Sequence, residues 1–414
     1  MVVVFQAMAS ATVNGRTYRF PTSPTVVVCV DGCEPAYVDD AIAAGVAPAL
    51  ERFQREGTFR LSRTIVPSFT NPNNLSIVTG VTPAVHGIAG NYFYDATSGR
   101  EVMMNDPAFL RCPTLLATLS HAGARAVVIT AKDKLRRLLG HGMQGICFSS
   151  EKVAEVTKAE HGIERATDLV PMPVPDVYSA ELSEYVLAAG LELLRRERPD
   201  VMYLSLTDYI QHKHPPGDPV ARAFYAMLDR YFDAIDREGA VLGVTGDHGM
   251  NAKVTADGRP NVVYLSPLLQ ESVGAGRFRV ILPITDPYVV HHGALGSYAT
   301  IHLERDGDVA PVIERLRATP GVAGVWDRAL GCRHFELPPD RVGDIILVSE
   351  RHVVLGKSPD AHDLSLLKEP LRSHGGPTED TVPFIVNRPP AAGGSPVENV
   401  RNFDIFDHAL NGAA

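Results

Sequence analysis

Short apolar runs rich in β-branched residues alternate with amphipathic segments through much of the chain. The apolar runs predict buried strands at residues 25–30, 125–130, 201–206 and 241–245. The amphipathic segments predict helices at residues 113–120, 179–196 and 220–237. Ahead of them, Asn14-Gly15 predicts the turn of a hairpin over residues 4–20. Strands that alternate with helices are typical of an α/β fold, so we expect a mostly parallel sheet flanked by helices.

The pattern changes between residues 257 and 370, where strands predominate. Strands are predicted near residues 277–282, 298–303, 324–327 and 344–350, with one helix near 309–317. A Pro/Gly-rich loop is predicted at residues 389–396. Because residues of metal-ligand type resume after this segment, at His374, we predict an inserted smaller α+β cap domain at residues 257–370. The catalytic core would then comprise residues 1–256 and 371–414.

The composition is that of a globular protein and argues against several classes of partner. The 414 residues can bury a large core, and 45% are hydrophobic against 21% charged. The net charge of −9 argues against nucleic acid, because binding its phosphates requires a basic face. No apolar run reaches membrane-spanning length, so we expect no membrane partner. Five scattered cysteines are typical of thiols in a reducing compartment, so we expect a cytoplasmic protein; a homodimer is left open.

Carboxylates and histidines follow several of the predicted strands. Asp31 follows the first strand, Asp208 follows residues 201–206, and Asp247-His248 follows residues 241–245. The carboxyl ends of parallel strands meet at one edge of a sheet, so we expect these side chains to converge. His212 lies four residues after Asp208, which on a helical turn places both on one face.

With His374, in a glycine-rich loop, six side chains of mixed nitrogen and oxygen type are available. This set suits divalent ions such as zinc and is large enough for two of them. Other interpretations remain open, since an Asp at a strand end often caps a helix and His214 competes with His212. Four further histidines are expected to have packing or surface roles, namely His86, His291, His292 and His352.

A two-metal site also needs a nucleophile, and the best candidate is Thr70. It lies in the segment 67–73, ahead of a helix predicted over residues 74–79. A hydroxyl at a helix start lies where backbone N–H groups and the helix dipole favour an anion. Coordination to a metal would lower its pKa and so activate it. Alternatively Thr70 only caps the helix; Ser68 is the second candidate nucleophile.

The order of these motifs resembles that of the alkaline phosphatase superfamily, and most closely its nucleotide pyrophosphatase/phosphodiesterase branch. The resemblance is carried by Asp31, the Thr70 segment, Thr79-Gly80, His86-Gly87, Asp208-x3-His212, Asp247-His248 and His374. It implies an alkaline-phosphatase-like core with two zinc ions. One would be held by Asp208, His212 and His374, and the other by Asp31, Asp247 and His248, with the oxygen of Thr70 completing it. An Asn matching Asn91 would contact the phosphoryl oxygens.

Substrate choice is predicted to depend on Lys132 and Lys134, which follow the strand at residues 125–130. In an extended segment, residues i and i+2 point to one side, so both ammonium groups could receive a second anionic group of the substrate. The alternative interpretation is a solvated basic turn. In this respect the chain resembles those members of the branch that cleave phosphonoacetate, in which two such lysines bind the substrate carboxylate.

The resemblance implies zinc-dependent hydrolysis of the C–P bond of phosphonoacetate, a small anionic phosphonate, to acetate and phosphate. The reaction would pass through a phosphothreonine intermediate at Thr70, and the lysines would stabilise the charge of the leaving group. A phosphodiesterase or nucleotide pyrophosphatase with the same two metals is the alternative enzyme. A third hypothesis is a zinc-binding protein without catalytic activity.

Overall fold

The largest feature of the fold is a seven-stranded sheet. In a computed structural model, the described residues are 10–284, 295–365, 367–391 and 399–413. The strand order in the sheet is Thr58–Arg63, Thr381–Val386, Val241–Thr245, Thr25–Cys29, Val201–Ser205, Ala126–Thr130 and Gly145–Ser149. The last five run parallel, whereas Thr381–Val386 is antiparallel to both of its neighbours. The sheet is therefore mostly parallel, and the predicted α/β fold class is confirmed.

Buried apolar residues cover both faces of this sheet, which explains the continuous apolar runs in the sequence. Successive side chains of a strand point to opposite faces. In the strand Thr25–Cys29, Val26 and Val28 join one apolar cluster while Val27 and Cys29 join the other. The α-helices of the described residues are Pro35–Ala43, Pro48–Glu56, Thr70–Thr79, Pro83–His86, Leu115–His121, Asp133–Leu139, Lys158–His161, Glu181–Glu197, Pro219–Arg237, Leu265–Val273, Val309–Arg317, Arg328–Phe335 and Ile405–Asp407.

A second, antiparallel sheet lies in the segment predicted to be the cap. Its strand order is Phe278–Ile281, Tyr298–Leu303, Ile345–Ser349 and Val322–Asp327. Smaller two-stranded pairs are Ser10–Val13 with Arg16–Arg19, Tyr92–Asp95 with Arg100–Met103, Asn251–Ala252 with Arg372–Ser373, and Val262–Tyr264 with Val354–Gly356. The first pair contains the predicted turn, with positive φ at Asn14 and Gly15. The division of the chain at residues 257 and 370 stays a prediction.

The second sheet packs directly against the core. Its buried residues and those of one face of the large sheet form one continuous apolar cluster. The rings of Tyr298 and Phe69 meet edge to face with centroids 6.2 Å apart. The backbone N–H of Ser297 donates to the carbonyl of His374, at 2.9 Å. The start of the strand Tyr298–Leu303 is thus joined to the loop that carries a predicted metal ligand.

Some elements differ from the sequence expectations. The helix Thr70–Thr79 begins four residues earlier than predicted, and the strands Thr58–Arg63, Gly145–Ser149 and Thr381–Val386 were not predicted. Within the described ranges, no helix combines the length and the apolarity that a bilayer span requires. Residues 4–9 of the predicted hairpin, His291 and His292, and residues 392–396 of the predicted loop lie outside the described residues.

Candidate metal centre

Three adjacent parallel strands deliver the predicted carboxylates to one edge of the large sheet. Val241–Thr245 and Val201–Ser205 lie on either side of Thr25–Cys29. Because the strands end at the same level, Asp247, Asp31 and Asp208 emerge side by side. All three carboxylates are buried, with at most 1% of each residue exposed to solvent. This edge is where α/β sheets bind ligands.

The six predicted ligand side chains fall into two compact groups. One consists of Asp208, His212 and His374, and the other of Asp31, Asp247 and His248; in each group the candidate ligand atoms lie within 4.8 Å of one another. The structure therefore brings together all six side chains, in the same two sets that the family resemblance implies. That these side chains bind ions stays a prediction. His214 instead lies next to Asp218, with Nδ1 and Oδ2 3.3 Å apart.

The orientation of buried polar atoms fits a cation in each group. Asp31 Oδ1 and His248 Nε2 lie 3.0 Å apart, and neither atom makes a hydrogen bond within the described chain. Asp208 Oδ2 likewise accepts no hydrogen bond there, although it lies 3.0 Å from His212 Nε2 and 4.0 Å from His374 Nε2. Two ligands about 2.0–2.2 Å from one tetrahedral zinc are roughly 3.3 Å apart. The atoms thus face one another at the spacing of ligands that share an ion.

All three histidines are held in the same way. Each approaches a backbone carbonyl with Nδ1: His212 that of Arg372 at 3.2 Å, His248 that of Gly249 at 2.9 Å, and His374 that of Ser68 at 2.7 Å. A carbonyl can only accept, so each Nδ1 carries the proton. In the neutral ring Nε2 then presents its lone pair to the carboxylates, which is the arrangement of a metal-binding histidine.

The three carboxylates of the cluster shift one another's pKa values, and the cations beside them shift those values too. Burial, and then the charge of Asp31, raise the pKa of Asp247 well above its usual range. Burial also acts to raise the pKa of Asp208, but the positive charges of Lys132 and His212 hold it well below its usual range. Repulsion between carboxylates and attraction to cations therefore decide the charge of the cluster, as expected at a cation site.

The charges of the histidines respond to the same field. Burial acts to lower the pKa of His248, but Asp247 and Asp31 outweigh it and raise that pKa to about 9. Burial and the neighbouring His248 and His212 lower the pKa of His374 well below its usual value. The cluster accordingly favours one positive charge beside Asp31 and Asp247 and a neutral ring at His374.

Thr70 is the first residue of the helix Thr70–Thr79, and Phe69 is its N-cap in an extended conformation. The residue is buried, with 4% exposed. Its helical neighbour Asn71 donates its backbone N–H to Asn91 Oδ1 at 3.0 Å. This contact fixes the amide of Asn91 beside the N-terminus of the helix. The hydroxyl of Ser68, the second candidate nucleophile, donates to the carbonyl of Gly376 at 2.9 Å and so holds the His374 loop.

Lys132 lies between the two groups. Its Nζ donates to Asp31 Oδ2 at 2.9 Å and to Asp208 Oδ1 at 3.0 Å, which are the carboxylate oxygens turned away from the histidines. Lys134 differs from the prediction. The helix Asp133–Leu139 begins directly after Lys132, so Lys134 lies in a helical turn and the expected extended pair of lysines is wrong.

The sequence analysis missed the groups that hold the site in place. Lys253 and Glu379 form a fully buried ion pair at 2.8 Å, and Glu379 Oε2 accepts the backbone N–H of Gly376 at 3.0 Å. A Cβ on Gly375 would overlap the ring of Phe69, so the glycines of this loop allow close packing. The helix Thr70–Thr79 is buried at every position although it contains three asparagines. The three asparagines close together in the sequence could have indicated a buried polar network at this place.

Comparison with known proteins decides the family. Residues 25–377 match the family model described as type I phosphodiesterase / nucleotide pyrophosphatase. The chain belongs to this family. Among curated relatives of the phosphodiesterase family, ectonucleotide pyrophosphatase/phosphodiesterase family member 1 of Mus musculus is 27% identical over 48% of this chain. Ectonucleotide pyrophosphatase/phosphodiesterase 1 of Saccharomyces cerevisiae is 23% identical over 74% of it. The matches span 20% and 42% of those longer proteins.

A solved structure of greater similarity is that of phosphonoacetate hydrolase from Sinorhizobium meliloti 1021. In complex with phosphonoformate it is 56% identical, with a TM-score of 0.94 over 98% of this chain and 99% of that one. The same enzyme in complex with phosphonoacetate gives a TM-score of 0.93. Human ectonucleotide pyrophosphatase/phosphodiesterase 5, at 16% identity and a TM-score of 0.63, shares the fold. The resemblance stated from the phosphodiesterase-family motifs is confirmed.

Proposed function

We propose that this protein hydrolyses the C–P bond of phosphonoacetate, giving acetate and phosphate. The observation that carries the proposal is the convergence of six buried ligand-type side chains. Lys132 contacts this cluster directly, and Asn74 joins it to the backbone of Thr70. The similarity to a phosphonoacetate hydrolase along 98% of the chain supports the choice of substrate. A small anionic phosphonate is thus the proposed ligand.

We propose that the cofactor is a pair of zinc ions. Asp208, His212 and His374 would hold one ion, and Asp31, Asp247 and His248 the other, with the oxygen of Thr70 completing the second set. Zinc suits nitrogen and oxygen donors of this kind. When bound, the two ions would offset the charge of the phosphonate and lower the pKa of a coordinated hydroxyl.

The reaction follows from the position of Thr70. Its hydroxyl lies at a helix N-terminus, where backbone N–H groups favour an anion. The Thr70 hydroxyl gives up its proton to water and its oxygen attacks phosphorus. The O–P bond forms, the P–C bond breaks, and the electron pair of the P–C bond leaves with the carbon. Water then cleaves the phosphothreonine, which releases phosphate and restores the hydroxyl. The amide of Asn91, fixed against the backbone of Asn71, would contact the phosphoryl oxygens.

The leaving group makes the lysines necessary. Acetate leaves as a carbanion, which is poor unless its charge spreads onto the carboxylate as an enediolate before the carbon takes a proton from water. A fixed positive charge beside that carboxylate stabilises the transition state. Lys132 is fixed by two carboxylates at the centre. Lys134, the second residue of its helix, remains the proposed second contact to the substrate carboxylate.

We further propose that the reaction takes place in the cytoplasm and that residues 257–370 act as the cap of the site. All five cysteines are free thiols, in keeping with a reducing compartment. The second candidate function is that of a phosphodiesterase or nucleotide pyrophosphatase, which the family model and the curated relatives favour. A diester leaves as an alkoxide or phosphate and needs no receptor for a carboxylate.

The deciding experiment measures acetate and phosphate released from phosphonoacetate, with and without a chelator, beside an aryl phosphodiester. We expect equal amounts of both products, loss of release with the chelator, and recovery when zinc is restored. A far higher kcat/KM for the diester would favour the second candidate. Stoichiometric zinc binding without turnover of either substrate would favour the non-catalytic zinc-binding protein.

A further inference from the structure

Asn74 is a buried amide at the junction of the nucleophile helix and the candidate metal centre. It lies one turn after Thr70, and none of its surface is exposed. Its Nδ2 donates to the carbonyl of Thr70 at 3.0 Å and to Asp247 Oδ2 at 3.2 Å. Its Oδ1 accepts from the hydroxyls of Tyr203, at 2.7 Å, and Ser205, at 2.9 Å. One side chain therefore connects the helix, a candidate ligand and the neighbouring strand.

The orientation of this amide is determined by its partners. The carbonyl of Thr70 can only accept, so one amide hydrogen must face it, and the other then faces Asp247 Oδ2. The oxygen then faces Tyr203 and Ser205, whose hydroxyls can donate. Both amide hydrogens and both acceptor positions of Asn74 are used, so a flipped amide would lose several hydrogen bonds in a fully buried place.

Asp247 depends on this contact for its orientation. Its Oδ1 accepts the backbone N–H of Gly32 at 3.3 Å, and its Oδ2 accepts from Asn74. A carboxylate held at both oxygens cannot rotate freely. We propose that Asn74 is a positioning residue that orients Asp247 for one of the two ions and sets the distance from that ion to Thr70. This inference rests on the proposed function, since it presupposes that Asp247 is a ligand.

The sharpest test is Asn74→Asp, which exchanges only the NH2 group for an oxygen. The new carboxylate would face Asp247 and the Thr70 carbonyl, so attraction becomes repulsion without a change of shape. We expect the affinity for one of two zinc ions to fall by roughly 10–100-fold, the range for loss of a group that orients a ligand. The affinity for the other ion should change less. Chelator competition with zinc measures both dissociation constants independently of turnover.

Asn387 offers a matched control at the opposite end of the strand Val241–Thr245. Its Nδ2 also donates to a carboxylate, Asp236 at 2.6 Å, and to a carbonyl, that of Ala240 at 3.0 Å. Its Oδ1 accepts the backbone N–H of Leu242 at 2.8 Å. Asn387→Asp therefore makes the same chemical change far from the site. We expect it to lower thermal stability while both zinc affinities stay as in the parent.

The outcomes separate this inference from the proposed function. The positioning role would be overturned if Asn74→Asp bound both zinc ions with the affinities of the parent protein. It would also be overturned if Asn74→Asp and Asn387→Asp lost affinity for both ions to the same extent. A parent protein that binds no zinc would overturn the proposed function and this inference with it. If Asn74→Asp does not fold, Ser205→Ala provides the second test, because it removes one donor to Asn74 Oδ1. Ser205→Ala should lower the affinity for the same zinc ion by a smaller factor. Unchanged zinc affinities in this variant would contradict the inference.

Discussion

The imidazole rings of His248 and His374 are stacked, with centroids 3.5 Å apart and planes 8° from parallel. The two residues belong to different candidate ligand groups and come from distant parts of the sequence. Each ring is also held at Nδ1 by a backbone carbonyl. The stacking therefore joins the two groups physically, and a change at one ring alters the orientation of the other.

Replacing His374 should affect more than the ion it would bind. In His374→Ala we expect one of two zinc ions to be lost, and the affinity for the other to fall by roughly 10–100-fold, because His248 loses the ring that orients it. Zinc-to-protein ratios after dialysis, measured by elemental analysis, test this. His352→Ala is the control, since His352 is exposed and outside both groups. A His374→Ala protein with two tightly bound ions would contradict the expectation.

Replacing Thr70 separates binding from chemistry. Thr70→Ala should lower kcat for phosphonoacetate by on the order of 10⁴-fold or more, as loss of a nucleophile does. Both ions should remain, because each keeps its three other ligands. Thr70→Ser retains a hydroxyl and should keep a measurable share of the activity. Mass spectrometry of rapidly quenched parent protein should detect phosphate on Thr70; if Ser68 carries it instead, the assignment of Thr70 is wrong.

The positions of the candidate ligands were predictable because they depend on local patterns. Asp31, Asp208 and Asp247 each follow a largely apolar run, and such runs form adjacent strands of a parallel sheet. The strand Val241–Thr245 was predicted to the residue. The position of each strand in the sheet then determined where its aspartate lies in the site. No knowledge of tertiary contacts was needed to predict this.

The helix at Thr70 was predicted too short because its first turn is stabilised by tertiary contacts. Asparagine disfavours helix interiors in isolation. Here Asn73 Oδ1 accepts from the side chain of Asn402 and Asn74 Oδ1 accepts from the hydroxyl of Tyr203, which outweighs that preference. Such partners are distant in sequence, so no local pattern revealed them.

The predicted conformation of Lys132 and Lys134 was wrong for a similar reason. The backbone N–H of Asp133 donates to the carboxylate of Glu151 at 2.7 Å, and Ser149 donates to Asp133 Oδ1 at 2.9 Å. Both partners lie at the end of the neighbouring strand Gly145–Ser149. These contacts start a helix at Asp133, directly after Lys132, whereas the prediction from the sequence was an extended segment.

Lys132 should discriminate between the two candidate activities. Lys132→Ala is expected to lower kcat/KM for phosphonoacetate by on the order of 10²–10³, the cost of losing a donor that stabilises developing negative charge. Hydrolysis of an aryl phosphodiester should fall much less, because its leaving group carries no carboxylate. Lys152→Ala removes a half-exposed lysine nearby and serves as the control. Equal losses for both substrates would assign Lys132 to the metal centre rather than to substrate recognition.

The lowered pKa of His86 leads to a prediction of how folding stability depends on pH. The ring is fully buried, with Nε2 at 2.9 Å from Ser76 Oγ and Nδ1 accepting from the backbone of Ile88. Burial, and then the charge of Arg341, lower the pKa of His86 from 6.5 to about 3. Below pH 6.5 the unfolded chain therefore binds a proton that the folded protein does not. Folding stability should fall as the pH decreases from that value, and this contribution should level off near pH 3.

For one proton the slope is about 1.4 kcal/mol per pH unit once the unfolded histidine is fully protonated. Glutamine offers hydrogen-bond donors and an acceptor, as the neutral ring does, but it has no proton to take up. His86→Gln should thus lower the free energy of unfolding near neutral pH and flatten its decline in acid. Urea unfolding of the metal-depleted parent and variant, at several pH values between about 7 and about 4.5, measures the difference in slope. If the free energies of unfolding of the parent and of His86→Gln declined in parallel as the pH falls, another group would be taking up the proton.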